Sequence, residues 1–194
     1  MTETLKGKKI LIVDDEPDVL EALSELLDMC EIDYARNFET AEKLLNEKSY
    51  DAAILDIMGV KGYDLLEMAN VKDLPVLMLT AHAFSPDHLV KSIISGAFSY
   101  IPKVEMVDIA IYLDDAIQAK LKDNRKSQIW FRKLKPIFDK KFGPDWLVQY
   151  KKDFKKILKK NSDLTYLREE LDKIFLAKCT SDNEIAKEGR NFVR

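Results

Sequence analysis

Asp14 and Asp15 stand side by side at the end of a short apolar run, Ile10-Leu11-Ile12-Val13. Asp56 closes a second run, Ala52-Ala53-Ile54-Leu55, and Thr80 closes a third, Val76-Leu77-Met78-Leu79. Lys103 follows a fourth segment, Phe98-Ser99-Tyr100-Ile101-Pro102. Three carboxylates drawn to one point repel one another, and a divalent cation offsets that repulsion. Hard oxygen donors in small number favour Mg²⁺, which keeps several waters and takes a phosphate oxygen as ligand. A carboxylate beside it can attack phosphorus and form an aspartyl phosphate. An ammonium group then neutralises charge on the moving phosphoryl group, and a hydroxyl binds one more of its oxygens. Asp15, Asp56, Lys103 and Thr80 supply these parts. Taken singly, each has a plainer role: Asp14 or Asp15 as the cap of a helix starting at Pro17, Asp56 as a solvated loop acid, Thr80 as a turn cap, Lys103 as surface. Together, at successive strand ends, they favour one shared site.

Such a site needs a frame that gathers strand ends. The first half of the chain alternates short apolar runs with amphipathic stretches. The pattern predicts strands over 8–13, 31–35, 51–56, 75–80 and 98–101. Helices are predicted from Pro17 to Met29, over 38–47 with Asn37 as cap, over 62–70, over 86–95 between Ser85-Pro86 and Gly96, and from near Glu105. Five β-α units in a row imply an α/β fold, a five-stranded parallel doubly wound sheet. Near-continuous apolar strands fit a sheet covered on both faces. Open parallel sheets bind ligands where strand carboxyl ends meet.

After residue 104 the pattern carries no strand and no repeat, which predicts a small all-α extension. Met106, Ile109, Ala110, Leu113, Ala116 and Ile117 form one helical stripe, and no Gly or Pro interrupts the polar stretch from Lys120 to Ser127. Trp130, Phe131, Leu134, Ile137 and Phe138 form another, with Pro136 inside it expected to kink or restart the helix. Gly143-Pro144 marks a break, and two more stripes follow, Trp146 to Leu158 and Leu164 to Phe175. The boundary falls near residue 124: residues 1–124 carry a formal charge of −12 and residues 125–194 one of +9. Halves of opposite sign suggest modules with different partners. The extension is too short to bury a large core alone, so it packs on itself, on the first domain or on a second copy.

Residues 8–120 resemble the receiver domain of bacterial two-component response regulators. The resemblance rests on Ile10 to Pro17, on Ile54-Leu55-Asp56-Ile57-Met58, on Gly62-Tyr63-Asp64-Leu65-Leu66, on Pro75 to Ala83 and on Gly96 to Lys103. It implies a phosphorelay protein in which Asp56 accepts a phosphoryl group from a sensor histidine kinase or phosphotransfer protein. It implies Mg²⁺ held by Asp15, Asp56 and the carbonyl of Met58, with Asp14 assisting through water. Thr80 and Tyr100 would act as the switch pair, and Lys103 would meet a phosphoryl oxygen. Catalysis would be confined to self-phosphorylation and autodephosphorylation at Asp56. Two departures stand out. Val60 occupies the place of the family's proline, in a loop about two residues short, and Pro102 precedes Lys103 where the family has the reverse order.

Other residues carry weaker signals. Lys151, Lys152, Lys155, Lys156, Lys159 and Lys160 share one helical face. Such a stripe tracks phosphates but lacks base-reading side chains, so nucleic acid is the second choice behind a protein partner or a homodimer. A phosphatase of the haloacid-dehalogenase type needs a second acid two residues after its nucleophile, where this chain has Met58. His82 lies near the phosphoryl site, and His88 reads as helix surface. Cys30 and Cys179 read as reduced packing residues. No run approaches the eighteen apolar residues of a membrane span, and residues 1–6 lack a signal-like apolar core, so a soluble, cytoplasmic protein is expected.

Overall fold

The computed structural model describes residues 3–81, 85–121, 129–143 and 146–150. Five parallel strands form one sheet: β1 (Lys9–Val13), β2 (Glu31–Ala35), β3 (Ala52–Asp56), β4 (Val76–Thr80) and β5 (Ser99–Pro102). Their spatial order is β2-β1-β3-β4-β5. The chain steps outward from β1 to β2, then crosses back beyond β1 to β3. A crevice therefore opens between the carboxyl ends of β1 and β3. Every residue of β3, β4 and β5 is buried, whereas β2 is largely half-exposed. This is the pattern of a sheet clothed by helices on both sides.

Five helices alternate with the strands: α1 (Pro17–Leu26), α2 (Phe38–Glu47), α3 (Gly62–Val71), α4 (Pro86–Ile94) and α5 (Ile109–Leu121). α1 packs beside α5, and α2 beside α3. Local chemistry sets several ends. Asn37 Oδ1 accepts the Thr40 amide at 2.9 Å, and Ser85 Oγ accepts the His88 amide at 3.3 Å, each satisfying a free first-turn donor. Gly96, at φ +94°, ends α4 in a conformation that favours glycine. α1 stops three residues before the predicted Met29, because Leu27 is buried at a C-cap and the chain turns there toward β2. A 3₁₀ stretch, Lys103–Asp108, precedes α5, so the last α-helix of the domain starts later than Glu105.

Two further helices follow, α6 (Ile129–Phe142) and α7 (Trp146–Gln149). Of the two outcomes expected at Pro136, the restart does not occur, since α6 runs through it. Pro136 lies on the exposed side, while Leu134 and Phe138 on the other side are each 1% exposed. Tertiary burial of that face overrides the local penalty of the ring. α6 packs against β5 and α5 of the same chain. The later stripe to Phe175, the lysine face, Cys179 and His82 lie outside the described residues.

Candidate functional site

The two central strand ends deliver the acids. Val13 pairs with Leu55, so Asp14 and Asp56 follow as neighbours across β1 and β3. Asp56 pairs with Leu79, which places Thr80 one step beyond on β4. Thr80 in turn pairs with Pro102, immediately before Lys103. Strand register alone thus brings four of the expected groups, Asp14, Asp56, Thr80 and Lys103, to one crevice.

Lys103 fills its centre. Its Nζ lies 2.8 Å from Asp14 Oδ2, 3.2 Å from Asp56 Oδ1 and 2.7 Å from Glu16 Oε1. The lysine side chain is 10% exposed, Asp14 1% and Asp56 5%. Burial pushes the Asp56 carboxyl up to about 6, against the opposing charge of Lys103. The Asp14 charge adds to the rise, and hydrogen bonds from Lys103 and the Met58 amide resist it. Asp14 is raised too, again chiefly by burial. Burial acts on Lys103 in the opposite sense, but its bonds to Asp14 and Glu16 and the charge of Asp56 outweigh it and raise its pKa. Reversing the family's Lys-Pro order therefore leaves the ammonium in reach of both acids. The bond before Pro102 is trans, as are the other described peptide bonds.

Asp14 does not cap α1. Its Oδ1 accepts the Glu16 amide at 3.0 Å, ahead of the helix, and the N-cap Glu16 makes no side-chain cap bond. Asp15 is exposed at the mouth of the crevice. The short loop from Ile57 to Lys61 brings Gly59 beside it. Gly59 adopts φ +78°, and the Val60 amide donates to the Met58 carbonyl at 2.9 Å, a three-residue turn about the glycine. A Cβ at Gly59 would stand 2.6 Å from Asp15 Oδ2, so glycine alone leaves that carboxylate room. Val60 is 1% exposed, turned into the core as an apolar replacement for the family's proline.

Among the described residues, no three Asp, Glu, His or Cys side chains form a metal-binding group by themselves. The expected set differs in kind: two carboxylates, one backbone carbonyl and water. Its donors are all hard oxygens, and the glycine keeps the space beside Asp15 clear. These residues fit a small hard cation.

Thr80 and Tyr100 are both fully buried. Sequence reading missed two participants. Glu16 shares Lys103 with Asp14, a contact hidden because it spans 87 residues. His88 is more than helix surface: its Nδ1 meets the Tyr63 hydroxyl at 3.1 Å, tying α4 to α3.

The sequence and the fold match known proteins in the same sense. Residues 10–110 match the model of the response regulator receiver domain. A two-component response regulator of Arabidopsis thaliana, ARR18, is 39% identical over 103 residues, covering 50% of this chain and 16% of that protein. The heme response regulator HssR of Staphylococcus aureus is 34% identical over 124 residues, 61% of this chain and 55% of that one. A receiver domain from Clostridium thermocellum superposes with TM-score 0.54 at 28% identity, covering 59% of this chain and 98% of that one. The chain belongs to the response regulator receiver family of two-component systems. It spans only about half of HssR and a smaller part of ARR18. No described helix is long and apolar enough to cross a membrane.

Proposed function

We propose that this chain is a phosphorylation-controlled signalling switch whose phosphoacceptor is Asp56. One observation carries the reading: Asp56, 5% exposed at the end of β3, faces Lys103 Nζ at 3.2 Å in the crevice between β1 and β3. An Asp56 oxygen attacks the phosphorus of a phosphohistidine on a sensor kinase or phosphotransfer protein. The bond from phosphorus to the imidazole nitrogen breaks, its electron pair stays on the imidazole, and an acyl phosphate forms on Asp56. Lys103 is placed to meet the incoming charge, trading its contact with Asp56 for one with a phosphoryl oxygen. Thr80, one residue beyond the register partner of Asp56 on β4, offers its hydroxyl to another oxygen. Asp15, Asp56 and the Met58 carbonyl would hold Mg²⁺, with Asp14 reaching it through water. The ion supplies charge neutralisation for the transferring group. Water later hydrolyses the acyl phosphate and resets the switch. The helical extension carries the output to a protein partner or a second copy.

The test is incubation with acetyl phosphate and Mg²⁺ followed by intact mass measurement. The wild type gains one phosphoryl group and Asp56→Asn gains none. An equal gain in the variant sinks the assignment.

A further inference from the structure

Tyr100 joins the crevice to the C-terminal helices. It pairs with Met78 across β4 and β5, so its side chain shares a sheet face with Thr80, two residues further along β4. Its hydroxyl accepts the Ser85 amide at 3.2 Å, at the N-cap of α4. Its ring meets Phe138 of α6, with centroids 6.3 Å apart and planes inclined at 59°. Phe138 continues the contact to Phe142 at 5.4 Å and Trp146 at 4.9 Å. Asp139 ties the two helices together, accepting the Trp146 indole N–H at 2.9 Å and Lys135 Nζ at 2.6 Å. At the rim, Lys133 pairs with Asp108 and sits 5.9 Å over the Tyr112 ring of α5. Leu134, Phe138, Trp146 and Leu147 are each at most 1% exposed. A segment buried this way is an occupant of the receiver's β5–α5 face.

We propose that α6 with α7 is an intramolecular ligand of that face, docked on Tyr100 while Asp56 is unmodified and released when the acyl phosphate forms. The inference rests on the phosphoacceptor reading. A Thr80 hydroxyl drawn to a phosphoryl group vacates space on the face it shares with Tyr100. Close-packed interiors answer such a change by switching between discrete arrangements rather than by deforming smoothly. A Tyr100 ring that follows Thr80 gives up Phe138 and uncovers the aromatic cluster behind it. Docking and phosphorylation then oppose each other, and linkage makes the opposition mutual.

The experiment uses the full chain with Trp130→Phe, which leaves Trp146 as the only tryptophan. Beryllofluoride with Mg²⁺ serves as the phosphoryl mimic, and its binding is followed independently by ¹⁹F NMR. Binding should raise acrylamide quenching of Trp146, and Asp56→Asn should abolish the change. Phe138→Ala, which weakens docking, should tighten beryllofluoride binding by about fivefold or more. If that variant loses helical signal, Lys133→Ala loosens the rim without touching the core and should tighten binding in the same direction. A bound ¹⁹F signal with unchanged Trp146 quenching overturns the release model and leaves Asp56 as acceptor. Unchanged or weaker affinity in the folded docking variant overturns it as well. Absence of any bound ¹⁹F signal in the wild type defeats the phosphoacceptor reading itself.

Discussion

Lys103 and Asp56 face each other at 3.2 Å inside the β1–β3 crevice, although they lie 47 positions apart in sequence. The acceptor thus meets a cation before any phosphoryl group arrives. That cation does not make ionisation of Asp56 free, because the carboxyl is buried.

The first prediction follows from that cost. Burial pushes the Asp56 carboxyl up to about 6 in the folded protein, against about 3.9 in the unfolded chain. Between those values the folded state binds more protons, so stability falls as pH rises through the window and stays lowered above it. Asp56→Asn removes the titrating group. In metal-free buffer it should be more stable than the wild type by about 2–3 kcal/mol above about pH 7, and the gain should vanish near about pH 4. Urea titrations at both pH values read the difference. A gain independent of pH would point away from Asp56.

Gly59→Ala tests the crowding beside Asp15. The new methyl would press on Asp15 Oδ2, and φ +78° disfavours any side chain. The variant should lose about 1–2 kcal/mol of stability and bind Mg²⁺ at least severalfold more weakly. Mg²⁺ titration and denaturation measure the two effects separately, and wild-type metal affinity would contradict the placement.

Tyr63→Phe should cost about 1 kcal/mol. It removes the hydroxyl shared by His88 Nδ1 at 3.1 Å and the buried Ser92 Oγ at 3.3 Å. The stacking of Lys91 Nζ over the ring, at 3.8 Å, survives the change. Chemical denaturation checks the cost, and faster amide exchange in α4 would show that the lost tie joins α3 to α4.

Thr80→Ala separates chemistry from transmission. The variant should gain a phosphoryl group from acetyl phosphate by intact mass, yet show no rise in Trp146 quenching. Quenching equal to that of phosphorylated wild type would remove Thr80 from the path.

Much of this was legible in the chain. β1, β3, β4 and β5 announce themselves as apolar runs because both faces of the sheet are covered, so no alternation blurs them. Asn37 and Ser85 were readable caps because a cap acts on an amide three residues away. The shared site was readable because parallel strands put all their carboxyl ends on one side, whereas the strand order that opens the crevice between β1 and β3 came from the structure. What stayed hidden depends on distant partners. Glu16 meets Lys103, and Tyr63 meets His88, only once helices have packed. Pro136 does not restart the helix, because burial of Leu134 and Phe138 holds α6 together across it. Likewise, Phe138 read as core by its spacing, but no local pattern names Tyr100 as what it covers.

β5 is the outermost strand on its side, yet all four of its residues are buried, with α6 packed against it. The opposite rim of the sheet, β2, remains partly open and carries Glu31 and Asp33. A foreign strand seeking to extend the sheet therefore finds one side already shielded and the other lined by charged side chains, Asp33 among them in its pair with Lys48 at 2.9 Å, a defence against aggregation built into both margins.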